Sequence, residues 1–154
     1  KIDIEGCDKL CLEAFRKFEA RPKFISVEAG LETEEEALGL LEQLKSLGYG
    51  RFKIVNQIIH HRRRCVQPPL EGKYVDARFD VEMSGPFGEE APGHWMTREE
   101  TARKVRGLVK EQRIWGDSGR FGRSPLRRLH RIWRRLTFRE PAGWYDFHAR
   151  LGDA

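Results

Sequence analysis

No run of apolar residues in this chain approaches the roughly 18–20 needed to span a bilayer as a helix. The first residues, Lys1-Ile2-Asp3-Ile4-Glu5-Gly6, are not the basic start and apolar run of a secretory signal, and a cytoplasmic location is the expectation. Cysteine is scarce: Cys7, Cys11 and Cys65 are three thiols at irregular spacing, which is not a disulfide framework. Cys7 and Cys11 lie one helical turn apart, but no second pair completes a zinc site, so reduced, packed thiols and no metal are expected. Internal repeats and low-complexity tracts are missing. So is any Gly-x-Gly-x-x-Gly motif, and Gly48-Tyr49-Gly50 reads as a helix stop, not a cradle for phosphate or adenosine.

What remains is one domain's worth of sequence. The 154 residues are 39% hydrophobic with four Trp and nine Phe, enough to build a core, and 34% charged, enough to keep it in water. The net charge of +5 is unevenly placed. Residues 1–48 hold 11 acidic and 7 basic side chains, a balance of −4, and residues 98–154 hold 7 and 15, a balance of +8. The cationic surplus belongs to the C-terminal third.

The first 57 residues alternate between two periodicities. Lys1–Glu5 reads as a short strand with Ile2 and Ile4 on one side, halted by Gly6. Cys7–Glu19 carries Leu10, Cys11, Ala14, Phe15 and Phe18 at helical spacing and ends at Arg21-Pro22. Lys23–Ala29 is a second strand. Thr33 and Glu36 form a capping box for a helix through Leu41, Leu44 and Leu47, stopped by Gly48, and Arg51–Gln57 is a third strand. Strand–helix–strand–helix–strand with short connections predicts a parallel sheet with right-handed crossovers. Three strands do not complete a doubly wound sheet, and the chain opens directly on a core strand, so truncation is the simplest explanation and earlier strands are expected upstream. A sheet edge left open there would favour self-association. Beyond Gln57 a loop-like stretch holds Ser84-Gly85-Pro86-Phe87-Gly88. Helices follow at Thr97–Arg113 (a second capping box, with Glu100) and Pro125–Leu136, and Gly143–Arg150 reads as a closing strand.

Carboxylates mark the place where chemistry belongs. Asp3 and Glu5 share the face opposite Ile2 and Ile4, just before the glycine turn into a helix. Open α/β sheets bind ligands at the carboxyl ends of their strands, although negative charge at a helix start is also ordinary capping. Glu28 ends the next strand at the same level, so the carboxylates of two strands face one crevice.

Lys1-Ile2-Asp3-Ile4-Glu5-Gly6, then a helix, then Arg21-Pro22-Lys23-Phe24-Ile25-Ser26-Val27-Glu28-Ala29 resembles the segment that follows the cofactor-binding half of FkbM-type methyltransferases. The resemblance is specific over residues 1–57, looser over 74–95 and 143–150, and silent over 96–142. It implies an α/β fold: the C-terminal half of a Rossmann-like class I methyltransferase sheet, with three parallel strands and a final antiparallel one. Residues 1–57 would be its βαβαβ core, 58–142 an insertion with acceptor loop and basic helix, and 143–150 the closing strand. It further implies transfer of a methyl group from S-adenosylmethionine to a hydroxyl of a saccharide or natural-product-like acceptor. Asp3 or Glu5 is then the catalytic base or holds the hydroxyl, and Glu28, with Ser84, Phe87 and Trp95 of the acceptor loop, binds substrate. The glycine-rich loop and acidic strand end that hold the cofactor in that fold have no counterpart here. The main cofactor site is therefore expected upstream of residue 1, and this polypeptide alone is expected to bind cofactor poorly.

The histidines carry bland expectations: His60-His61 in a solvated loop and His148 as a satisfied structural histidine. The rival function rests on the helix with Arg127, Arg128, Arg131, Arg134 and Arg135, whose apolar stripe is Leu126, Leu129, Trp133 and Leu136. Such a helix packs on a sheet or, in a non-catalytic basic module, binds an anionic polymer or membrane surface. No RNA-binding aromatic signature or zinc finger favours nucleic acid.

Overall fold

The fold was obtained as a computed structural model and describes residues 1–4, 6–61, 63–80, 83–116, 118–137, 140 and 143–152. Glu5 lies outside the described residues, so its expected catalytic role has no structural counterpart here. In chain order the elements are α1 (Asp8–Phe15), β1 (Phe24–Glu28), α2 (Glu34–Ser46), β2 (Tyr49–Asn56), α3 (Arg98–Trp115), α4 (Leu126–Leu136) and β3 (Tyr145–Leu151), with short 3-10 turns at Gln57–His60 and Gly88–Glu90.

Local chemistry accounts for where the helices start and stop. The Thr33 hydroxyl accepts a hydrogen bond from the Glu36 amide at 3.1 Å, and Glu34, Glu35 and Glu36 fill the electropositive first turn of α2. The chain leaves α2 through Gly48 at φ +96°, a left-handed conformation that a side chain would strain. At α3 the capping box is reciprocal: Thr97 accepts from the Glu100 amide, and the Glu100 carboxylate accepts from the Thr97 amide at 2.8 Å.

The sheet corrects the expected topology. Its order is β1-β3-β2, and β3 pairs antiparallel with both neighbours, Glu28 opposite Asp146 on one side and Asn56 opposite Tyr145 on the other. The parallel, Rossmann-like sheet predicted from the alternating pattern is therefore not what forms. β1 and β2 do run in the same direction, but β3 takes the hydrogen-bonding slot between them, so they never pair. Nor do the described residues 1–4 form a strand. Ile2 makes a single parallel bridge with Val27, its amide donating to the Ser26 carbonyl at 2.8 Å.

Side-chain alternation decides the layering. Ile25, Val27, Phe52, Ile54, Tyr145, Phe147 and Ala149 share one face. They build the core with Leu12 of α1, Ala37, Leu41 and Leu44 of α2, and Ala102, Val105 and Val109 of α3. The other face carries Ser26, Lys53, Asp146 and His148, all buried. It is covered by the segment around Gly88–Met96, where the Lys53 ammonium donates to the Ala91 carbonyl at 2.5 Å and sits over the Trp95 ring. The thiols are free, but Cys7 is exposed and Cys11 and Cys65 are only half-buried, so the expectation of packed cysteines fails.

Helix α4 departs most from expectation. Its apolar residues face away from the protein, with Leu129 62% and Leu136 73% exposed, while Arg134 is buried. Arg134 pairs with Glu111 near the end of α3 and donates to the Glu140 carbonyl at 2.6 Å. His130 stacks on Trp115 with centroids 4.1 Å apart. The ion pair and the ring stack attach α4 by its cationic side.

Candidate functional site

Because β1 and β2 point the same way, their carboxyl ends and the start of β3 meet at one edge of the sheet. A row of acids crosses it. Ile2 pairs with Val27 and Glu28 with Asp146, so Asp3, Glu28 and Asp146 sit on neighbouring segments. Lys1 bridges two of them, its ammonium 2.9 Å from Asp146 and 3.2 Å from Asp3, and the Ser26 hydroxyl lies 3.5 Å from Asp146. Asp146, 1% exposed, is the anchor. Burial raises its pKa above the ordinary aspartate value; the Lys1 ammonium opposes that shift, and the repulsion of Asp3 adds to it. Burial pulls the Lys1 ammonium down, but Asp146 and Asp3 outweigh it and hold its pKa above the usual lysine value.

Glu28 is the group set apart. It has no cation within ion-pair distance among the described residues, and although it stands exposed at the strand end its pKa is raised, first by desolvation on the side that backs onto the sheet and then by repulsion from Asp3, Asp146, Glu32 and Asp8. It opens onto a cavity of about 740 Å³ between the sheet edge, the end of α3 and the inner side of α4. That size is within the roughly 300–1,000 Å³ of small-molecule sites. Glu28 and Glu32 line one side of it; Arg113, Arg127, Arg131 and Arg134 supply positive charge; Trp115, Trp144 and Tyr145 supply ring surface; Gln112 and Ser118 supply neutral polar groups. Burial pushes the Tyr145 phenol up, and the Arg134 guanidinium, which donates to its oxygen, opposes that shift.

The structure brings together some of the residues expected from sequence and separates others. Asp3 and Glu28 stand side by side. Phe87 and Trp95 lie toward the other end of β1, where Trp95 stacks on Phe24 at 5.9 Å and Phe87 meets it edge-on at 6.4 Å. The Trp95 indole donates to Glu89 at 2.7 Å, and Glu89 holds Arg150 at 3.0 Å. These aromatics cover the polar face of the sheet and do not line the cavity. Ser84 is exposed beside Gly85, which the His60 ring approaches so closely that a Cβ would stand 2.3 Å from it. His148 and His60 are both buried, His60 being no solvated loop residue, and among the described residues neither ring nitrogen of either finds a hydrogen-bond partner, unlike the satisfied structural histidine expected at 148.

Sequence reasoning missed Asp146 and Tyr145. The available signal was the alternation Tyr145-Asp146-Phe147-His148-Ala149, in which a strand that is apolar on one face carries an acid and an imidazole on the other. Among the described residues no group of three His, Cys, Asp or Glu is disposed to hold a metal ion. S-adenosylmethionine is a poor fit for this cavity, since its sulfonium would sit beside the guanidinium groups of Arg113, Arg127, Arg131 and Arg134.

Comparison with models of known protein families, with curated proteins and with solved structures found no match. No helix among the described residues is long and apolar enough to cross a membrane.

Proposed function

We propose that the cavity at the β1–β3 edge holds an anionic, hydroxylated small molecule, such as a phosphorylated or uronic saccharide or an acidic natural product, and that Glu28 takes the proton from the hydroxyl that is modified. The observation that carries this reading is a carboxylate with a raised pKa on the wall of a cavity whose opposite side is cationic. Arginines bind phosphate or carboxylate in a forked geometry, and tryptophan faces suit sugar rings. A carboxylate moved toward neutrality takes up a proton more readily than an ordinary one. The resemblance of residues 1–57 supports O-methylation as the modification, with S-adenosylmethionine as donor, so that the chain takes part in an O-methyltransferase. In that reading the cavity is the acceptor side, and Asp3 and Asp146 act on Glu28 through their charge.

Titration calorimetry with glucose 6-phosphate, glucose and S-adenosylmethionine tests the assignment. Binding of the phosphosugar but not of glucose, weakened at least tenfold in Arg131→Ala, is the expected result. Tight binding of S-adenosylmethionine in the cavity, or no binding of the phosphosugar, would overturn the acceptor assignment. In a methyl-transfer assay, Glu28→Gln is expected to lose about 10²–10⁴-fold in rate. The acid limb of the pH–rate profile should lie above that of an ordinary glutamate and vanish in that variant.

A further inference from the structure

The apolar side of α4 has no use in the cavity. Leu126, Leu129, Ile132, Trp133 and Leu136 recur at steps of three and four and form a stripe roughly 120° wide at about 100° per residue. All five are between 45% and 73% exposed. A stripe turned away from the protein by an ion pair and a ring stack on the opposite side is fixed outward. Beside it run Arg128, Arg131 and Arg135, all exposed, and no acidic residue occurs anywhere in the helix. Five large apolar side chains along one helix face are thus open to solvent together.

We infer that α4 docks on an anionic lipid bilayer, lying in the plane of the interface with its apolar stripe among the acyl chains and its arginines at the headgroups. Charge complementarity selects this occupant. A purely apolar partner surface would leave the flanking guanidiniums without counter-charges, whereas an anionic membrane satisfies both sides of the helix at once. A nucleic acid would meet the arginines but leave the leucines in water. Trp133 sits at the edge of the stripe, against His130 at 5.7 Å, in the amphipathic position that indoles take at a membrane interface. The inference does not depend on the acceptor reading. Docking of this kind would set the mouth of the cavity, walled by the inner side of the same helix, at the level of the headgroups.

Co-sedimentation of the chain with vesicles of phosphatidylcholine alone, and of phosphatidylcholine with a minority of phosphatidylglycerol, tests it. Binding is expected only to the anionic vesicles, falling as salt is raised. Leu129→Ser with Ile132→Ser, and separately Arg128→Ser with Arg135→Ser, should each weaken it by on the order of tenfold or more. These side chains are exposed, and a urea unfolding midpoint equal to that of the parent establishes that the variants are folded. Quenching of tryptophan emission by brominated lipid should be lost in Trp133→Phe. No binding to anionic vesicles, equal binding to neutral ones, or binding indifferent to the Leu129/Ile132 change would overturn the inference. So would single-stranded RNA binding at least as tight as vesicle binding, or a dimer in sedimentation equilibrium that Leu129→Ser dissociates.

Discussion

In α3 the side chains that recur at helical spacing, Thr101, Ala102, Val105 and Val109, are all buried against β2 and α2, and the charged residues Arg98 and Arg106 point out to Glu42 and Glu34 of α2. In α4 the arrangement is inverted: the apolar stripe faces solvent, and the residue inside is Arg134, paired with Glu111. Both helices are cationic and both are amphipathic. Amphipathicity therefore reports that a helix has two sides, while the partners available around it decide which side faces the protein. α3 lies over an apolar sheet face. The inner side of α4 meets an acid, an indole and a cavity instead.

The contrast can be broken most directly by placing a charge on each stripe. Val105→Asp buries an unpaired carboxylate and is expected to cost at least about 4 kcal/mol, enough to unfold the chain, whereas Leu129→Asp should stay within about 0.5 kcal/mol; urea unfolding measures both. If Leu129→Asp were as damaging, α4 would be part of the core.

The buried region should also show an acid sensitivity that the exposed helix does not confer. Burial first, and then the charges of Lys53 and Lys1, push the His148 pKa down to about 3 from an ordinary 6.5. Between those values the unfolded chain holds a proton that the fold excludes, so stability falls as pH drops, by roughly 1.4 kcal/mol per unit for one proton. This contribution is fully present above the unfolded value, and His60, lowered by burial and by Arg63, adds to the trend in the same direction. Urea midpoints between pH 7 and pH 4 should flatten by about one proton in His148→Leu.

A smaller effect separates the helix starts. Thr97→Ala removes the capping box of α3 and should cost about 1 kcal/mol. α4 begins at Pro125 without a side-chain cap, so Pro125→Ala should change stability by no more than about 0.5 kcal/mol; thermal unfolding compares the two. Smallest of all, Arg106→Ala loses an exposed ion pair to Glu34 and is expected to cost less than about 1 kcal/mol, vanishing in high salt.

Local chemistry was legible in the chain. The Thr33 and Thr97 caps, the stop at Gly48 and the apolar periods of α2 and α3 were readable because each depends on residues within one or two turns. Glu28 was legible as a strand-end carboxylate for the same reason, and Asp3 came with it. Asp146 was not, because nothing near it in sequence says that it stands opposite Glu28; that pairing joins residues more than a hundred positions apart. The Phe87 and Trp95 segment looked like an acceptor loop by composition, yet it is held by Phe24, Lys53 and Arg150 at the other end of the strand.

Local residue patterns set most of the elements, namely the helices, the three strands that pair, the caps and glycines that end them and the positive charge of the last third, but not the first residues, which read as a strand and make only one bridge. Long-range packing placed β3 between β1 and β2, which replaced a parallel sheet by antiparallel pairs and brought Asp146 beside Glu28. Only it turned the leucines of α4 outward. The physical reason is the same in both cases. Hydrogen-bonding edges and apolar stripes state what a segment must satisfy, and which distant segment satisfies it depends on the competition among all the surfaces that the chain folds together.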